Sequence, residues 1–195
     1  MDILINTEIL ISTLQNVISV IDKSYSKPIL SNFMIKTLEN EGGQGMVEFS
    51  ATDYELSIIE RIPAEITTSG SICINAKRVF DIAREFQAKE TRILSTEQLW
   101  VHISCGASEL RLPSVEVGLY PQPNIEELKQ NLKISTVDLA QCIDMTLFAS
   151  QTNEARRNLM GVALSITDKQ KTRWQATDGH RLACLLYTSD AADDV

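Results

Sequence analysis

The sequence predicts an α+β fold of mostly antiparallel sheets, built from a repeated β-α-β-β-β unit. Three observations carry this. Strand-like segments outnumber helix-like ones too heavily for a doubly wound sheet. The connections between them are too short for parallel crossovers. The order strand, helix, three strands occurs twice in the first hundred-odd residues and restarts after a proline-bearing stretch.

Residues 1–6 alternate apolar side chains and read as a strand, and Asn6 or Thr7 caps a helix running to about Ile21. Ile9, Leu10, Leu14, Val17 and Ile18 recur at helical spacing as its buried stripe. Its other face, Ser12, Gln15, Asn16 and Ser19, is polar yet uncharged. Period-two alternation then marks strands at Phe33 and Ile35, at Val47, Phe49 and Ala51, and at Leu56 and Ile58, with a fourth over 71–75. A second helix spans about 76–87, with Val79, Phe80, Ala83 and Phe86 inward and Lys77, Arg78 and Arg84 on or beside its exposed face. Strands at 92–95, 99–104 and 109–112 complete the second unit.

Pro113, Pro121 and Pro123 interrupt any periodicity, so 113–131 reads as an interdomain linker. The pattern restarts with a strand at 132–134, a capping box at Ser135-Thr136-Val137-Asp138 and a helix to about Ala149 that buries Leu139, Ala140, Ile143 and Leu147. Strands around Val162, Leu164 and Ile166 and around Trp174 and Ala176 follow. Matched landmarks make the restart a repeat: Thr7 with Thr136, Asn32 with Asn158, and Ala51-Thr52-Asp53 with Ala176-Thr177-Asp178. The expected domains are 1–124 and 125–183, the second an incomplete copy. The remaining residues, 184–195, match the conceptual translation of a transposase mosaic-end sequencing adapter through Asp194. They are expected to be an artefact outside the pattern, with the native chain continuing past Ala183.

A hydrophobic fraction of 44% and a charged fraction of 23% suit a packed globular protein. No apolar run has the length of a membrane span, and the N-terminus lacks the basic start of a secretory signal. Cys73, Cys105, Cys142 and Cys184 show no metal-ligand spacing, so they read as reduced thiols of a cytoplasmic protein with no metal or cofactor. A net charge of −8 counts against nucleic acid only if the acids share the binding surface.

Residues 176–183 read Ala-Thr-Asp-Gly-His-Arg-Leu-Ala. Asp178, His180 and Arg181 could be the acid, base and cation of an active site. Equally, Asp178-Gly179 signals a hairpin in which the aspartate caps its own turn. No nucleophile or glycine-rich phosphate loop accompanies the trio, and His102 sits on an alternating strand as a rim residue. A monomeric β-rich interaction module without a DNA function is a further reading of the same pattern.

Lys27-Pro28-Ile29-Leu30, Ala51-Thr52-Asp53, Asn75-Ala76-Lys77-Arg78, Leu119-Tyr120-Pro121 and above all Ala176-Thr177-Asp178-Gly179-His180-Arg181-Leu182 resemble the N-terminal half of the bacterial DNA polymerase sliding clamps, the beta subunits of the replicative polymerase. The resemblance implies the DNA-clamp fold, a head-to-tail homodimeric ring with antiparallel sheets outside and helices inside. Such a ring is a non-catalytic processivity factor that slides on double-stranded DNA without reading bases. It further implies a gene of about twice this length with a third copy of the unit. Carried over residue by residue, DNA contacts fall on Lys23, Ser24, Lys77, Arg78, Arg84, Asn153, Arg157 and Asn158. The family's loop aromatics are absent here. A pocket for short peptides of polymerases, the clamp loader and repair proteins falls on Leu159, Thr177, Gly179, His180, Arg181 and Leu182. An edge strand with Leu110 and Leu112 falls at the subunit interface.

Overall fold

A computed structural model describes all residues except 22–26, 39–44, 97–98, 123–132, 169–170 and 189–195, with the side chains of 154, 167 and 168 also excluded. The chain divides into two compact units, Met1–Ile125 and Glu126–Val195. The expected capping side chains set the helix starts. Strand β1 (Asp2–Asn6) leads into helix α1 (Thr7–Ile18), where Asn6 Oδ1 accepts from the amides of Glu8 and Ile9. A 3-10 turn, Pro28–Ser31, precedes strands β2 (Asn32–Leu38), β3 (Met46–Thr52), β4 (Ser57–Pro63) and β5 (Glu65–Thr68). Strand β6 (Ser71–Asn75) then leads into α2 (Ala76–Ala83), capped by Asn75 Oδ1 on the Arg78 amide. Strands β7 (Glu90–Ser95), β8 (Trp100–Cys105) and β9 (Ser108–Val115) follow, then a 3-10 turn, Val117–Leu119.

The nine strands pair antiparallel in the order β4-β3-β2-β6-β9-β8-β7-β1-β5. The order contains the duplication: β4-β3-β2-β6 and β9-β8-β7-β1 are the same arrangement, each β-α-β-β-β repeat's first strand sitting in the other repeat's sheet within the first unit. Strand β5, which alternation did not reveal, continues β4 after Ala64 and pairs with β1 at the far end of the order. One intervening residue spans only a few ångströms, so the sheet must curl until its ends meet. At that junction the Ala64 amide donates to Gly45 C=O, and a Cβ on Gly45 would lie 2.6 Å from Ala64 O.

Ile3, Ile5, Phe33, Ile35, Val47 and Phe49 from the strands pack with Leu10, Leu14, Val17 and Val79 from the helices in one core, with the Phe33 and Phe49 rings stacked at 5.8 Å. Glu60 also faces α1, where Thr13 Oγ1 and Asn16 Nδ2 donate to its two oxygens. The helices end earlier than expected because their last turns tighten. Ser19 and Ile21 amides donate to Asn16 and Ile18 carbonyls, and Phe86 to Ala83, three residues back. Leu56 belongs to the turn before β4 and is exposed, not strand-borne as expected.

In the second unit, Ser135 Oγ accepts from the Asp138 amide and starts α3 (Thr136–Leu147). A 3-10 turn, Glu154–Leu159, leads to strands β10 (Ala163–Asp168), β11 (Lys171–Thr177) and β12 (Leu182–Thr188), paired in that order. Lys133 and Ile134 form no strand, contrary to expectation, and Leu132 lies outside the described residues. Leu147 is exposed, whereas Cys142 and Thr146 supply the buried face of α3. Residues 184–188, expected to fall outside the pattern, continue the β11 ladder from Cys184↔Gln175 to Lys171↔Thr188. That ladder is made of backbone groups, which pair whatever the side chains.

Strand registers correct one landmark of the repeat. Met34 pairs with Ser50 as Ala163 pairs with Gln175, so Asn32 corresponds to Gly161 and not to Asn158. The length difference lies in the β2–β3 connection, Leu38 to Met46, which shortens to Asp168 to Lys171 in the second copy.

Tyr120, expected in the linker, is 3% exposed against Met34 and Cys73. Its hydroxyl donates to Asn32 C=O and accepts from the Thr52 amide, and burial pushes its pKa up to about 12. Tyr120→Phe leaves both backbone groups unpaired in an apolar site. Urea unfolding is expected to show a loss of about 1–3 kcal/mol in the first unit.

Candidate functional site

The turn between β11 and β12 is four residues long, Asp178 to Arg181, not the two-residue hairpin that Asp-Gly alone suggests. Asp178 caps it. Its Oδ1 accepts from the amides of His180 at 2.9 Å and Arg181 at 3.0 Å, and its Oδ2 from Arg181 Nε at 2.9 Å. The His180 amide first, then that of Arg181, then the guanidinium hold the Asp178 pKa down to about 2. Thr177 Oγ1 closes the turn by donating to Arg181 C=O and accepting from the Gly179 amide. Gly179 has φ +90°, which a side chain would adopt only under strain.

The first unit holds the same turn. Asp53 Oδ1 accepts from the amides of Glu55 and Leu56, and Thr52 Oγ1 donates to Leu56 C=O and accepts from Tyr54. Tyr54 takes the left-handed position with φ +78°, its ring lying 4.3 Å beneath Lys27 Nζ. Asp178, His180 and Arg181 are therefore a capped turn rather than a catalytic trio: the carboxylate is engaged by its own loop, and His180 and Arg181 are exposed.

Beside this turn the second unit pairs a buried cluster of small residues with exposed apolar side chains, Leu182 lying on the sheet face opposite Ala183. Ala149, Ala176 and Ala183 pack together, so the end of α3, β11 and β12 approach closely. Leu182 stands 64% exposed and Leu159 half-buried. Phe148, 63% exposed, lies 5.8 Å from the Arg181 guanidinium. Neither Phe148 nor Gln151 nor Arg156 was singled out from sequence. Gln151 donates through its backbone to Leu159 C=O and through its side chain to Asp178 C=O. Arg156 Nη1 would lie 3.2 Å from a Cβ at Gly179. A helical apolar residue beyond the buried stripe and an arginine beside Arg157 were the only signals available.

The candidate nucleic-acid contacts lie on two surfaces. In the first unit, Lys77, Arg78 and Arg84 are exposed on α2. Lys77 and Arg78 stand in its first turn, where cations oppose the helix dipole, so their placement costs stability. Arg84 packs on Phe80 at 5.9 Å. Lys23 and Ser24 lie outside the described residues. In the second unit, Arg157 and Asn158 are exposed on the 3-10 turn, while Asn153 Oδ1 caps that turn on the Ala155 amide. Asn153 thus positions the loop through its carbonyl oxygen.

The expected interface strand, β9, is not terminal in its sheet, because β6 pairs with it at Ser114 and Val115. Alternation turns Leu110 and Leu112 toward the core, and Leu112 is only 6% exposed. Residues 108–113 offer a partner backbone along the side away from β8, with Glu109 and Arg111 outward.

Residues 1–126 match the family described as DNA polymerase III beta subunit, N-terminal domain, and residues 133–194 its central domain. The beta sliding clamp of Caulobacter vibrioides is 32% identical over 188 residues, 94% of this chain and 49% of that protein. That of Staphylococcus epidermidis is 30% identical over 191 residues, with 94% and 49% covered. Among solved structures, the beta subunit from DNA polymerase of Streptococcus pyogenes superposes with a TM-score of 0.87 at 27% identity, covering 97% of this chain and 50% of that one. The DNA polymerase sliding clamp from Bacillus subtilis gives 0.87 at 28%, covering 100% and 52%. The chain spans about half the length of the curated relatives it matches.

The lowered Asp178 pKa has a signed consequence. Its contribution to the turn is complete above the ordinary carboxylate value of 3.8 and is lost as pH falls through about 2. Carboxyl-detected NMR is expected to place its midpoint near 2, and acidification through that range to speed hydrogen exchange of the His180 and Arg181 amides.

Proposed function

The chain belongs to the DNA polymerase III beta subunit family, and from that premise we propose that it is part of a sliding clamp, a non-catalytic processivity factor of the polymerase III holoenzyme. The observation that carries the reading is the match of the two units, in order, to successive domains of one family. In the intact protein these units would form part of a homodimeric ring in the cytoplasm that encircles double-stranded DNA. Among the described residues no helix is long and apolar enough to cross a membrane.

The basic α2 face and Arg157 would meet phosphates, a contact that is screened, sequence-independent and suited to sliding. The exposed face of α1 at Ser12, Gln15, Asn16 and Ser19 carries no charged side chain of its own, and Asn16 and Thr13 engage the Glu60 carboxylate beside it, which limits repulsion of a passing anion. The free side of residues 108–113 supports ring closure by backbone pairing with another protomer. In the second unit, Leu159, Phe148 and Leu182 offer apolar contact, Gly179 lets the Arg156 guanidinium lie beside the turn, and Thr177, His180 and Arg181 form a polar rim. That combination suits a short peptide with apolar side chains and exposed backbone, as polymerases, the clamp loader and repair proteins would present.

Two experiments test the reading on the full-length protein. Leu182→Ala with His180→Ala is expected to abolish binding of a peptide from the C-terminus of the cognate polymerase while the ring stays dimeric by light scattering. Unchanged affinity refutes the pocket. Lys77→Glu with Arg157→Glu is expected to shorten retention on nicked circular DNA and flatten its dependence on salt. An unaltered salt slope removes these residues from the DNA surface.

A further inference from the structure

Gln151 joins three parts of the second unit. Its Oε1 accepts from the amides of Thr152 and Asn153, at 2.9 and 3.2 Å, shaping the loop that enters the 3-10 turn. Its backbone amide donates to Leu159 C=O at 2.9 Å, closing the other end of the same segment. Its Nε2 donates to Asp178 C=O at 3.4 Å, in the capped turn between β11 and β12. Residues 151–159 therefore form a closed loop with Gln151 as its clasp, tied to the 178–181 turn. The Arg156 guanidinium lies beside Gly179 in the same turn.

That loop carries residues assigned to both surfaces. Arg157 faces solvent with the charge that would seek phosphate, and Leu159, two positions on, belongs to the proposed peptide pocket. Because the loop and the turn are bonded together, a ligand that fixes the position of one favours the arrangement of the other, which is positive coupling. In the first unit the adjoining strand ends, at Thr52 and Asn32, are held by the Tyr120 hydroxyl.

We infer that Gln151 is a positioning residue that couples the DNA-facing loop to the peptide-docking turn, so that a ring on DNA binds its peptide partners more tightly than a free ring. This rests on the pocket and DNA surfaces proposed above and adds the linkage between them. A ring that has reached DNA would then be preferred by its partners over one in solution.

The test measures, by fluorescence anisotropy, the affinity of the full-length ring for a labelled C-terminal peptide of the cognate polymerase. The measurement is made with the ring free and with the ring loaded on nicked circular duplex DNA. The unaltered protein is expected to bind about fivefold more tightly on DNA. Gln151→Met removes all the side chain's hydrogen bonds, and Gln151→Glu keeps the acceptor for Thr152 and Asn153 but loses the donor to Asp178. Both are expected to bring the ratio of affinities to about one. The Glu variant retains the loop's cap, so it carries the test if the Met variant does not fold. A ratio of one in the unaltered protein, or a fivefold ratio surviving in the Glu variant, overturns the inference. Leu182→Ala as a control separates the two levels. If it leaves peptide affinity unchanged, the pocket reading falls and the inference with it. If it weakens binding while Gln151→Glu preserves the ratio, only the coupling falls.

Discussion

Each half of the first unit's sheet is completed by a strand from the other half, and the rest of that unit depends on this exchange. Strand β1 lies beside β7, and β6 beside β2, so the strand that launches each helix is fastened to the sheet of the opposite repeat. Asn6 and Asn75 stand at equivalent ends of these strands and start the two helices. The helices are thereby brought to one core, and neither half can bury its apolar face without its counterpart. The described part of the second unit repeats one of these halves, α3 with β10, β11 and β12. Its larger share of exposed apolar side chains, including Val137, Met145, Leu164 and Ile166, follows from that reduced packing partner.

The capped turn shows how a duplicated element acquires a separate use. Thr52 with Asp53, and Thr177 with Asp178, make the same set of hydrogen bonds, so the backbone path is independent of the residues presented outward. In the second copy those residues are Gly179, His180 and Arg181. In the first, Tyr120 fastens the adjoining strand ends. The threonine and aspartate hold the backbone, and their neighbours decide what the turn presents outward.

Much of this was legible in the residues. Cap residues and apolar periodicity located the helix starts and most strands, because these signals are local. The third-position resemblance between Thr52-Asp53 and Thr177-Asp178 marked the turn. Strand β5 was missed because Glu65, Thr67 and Thr68 leave a single apolar residue to alternate, and its pairing with β1 is a consequence of sheet curl. Asn158 was mismatched to Asn32 because letter identity carries no register. Leu110 and Leu112 face the core by alternation on a half-buried strand, so the proposed interface rests on that strand's backbone edge. Phe148 and Arg156 carried only generic signals, an apolar residue beyond the buried stripe and an arginine beside Arg157, and Gln151 carried none. They matter only because α3, the 3-10 turn and the β11–β12 turn converge, which is a tertiary fact.

The left-handed position in the two turns has a consequence for how such sites change. Tyr54 occupies it at a cost of about 1–2 kcal/mol that Gly179 avoids, yet the backbone is held alike in both copies. A cap strong enough to absorb that penalty makes the position an exchangeable socket. Glycine there leaves room for the Arg156 guanidinium beside the turn, and tyrosine there covers the turn with a ring on which Lys27 rests. One codon can thus change what a given copy presents outward, with no change to the sheet beneath.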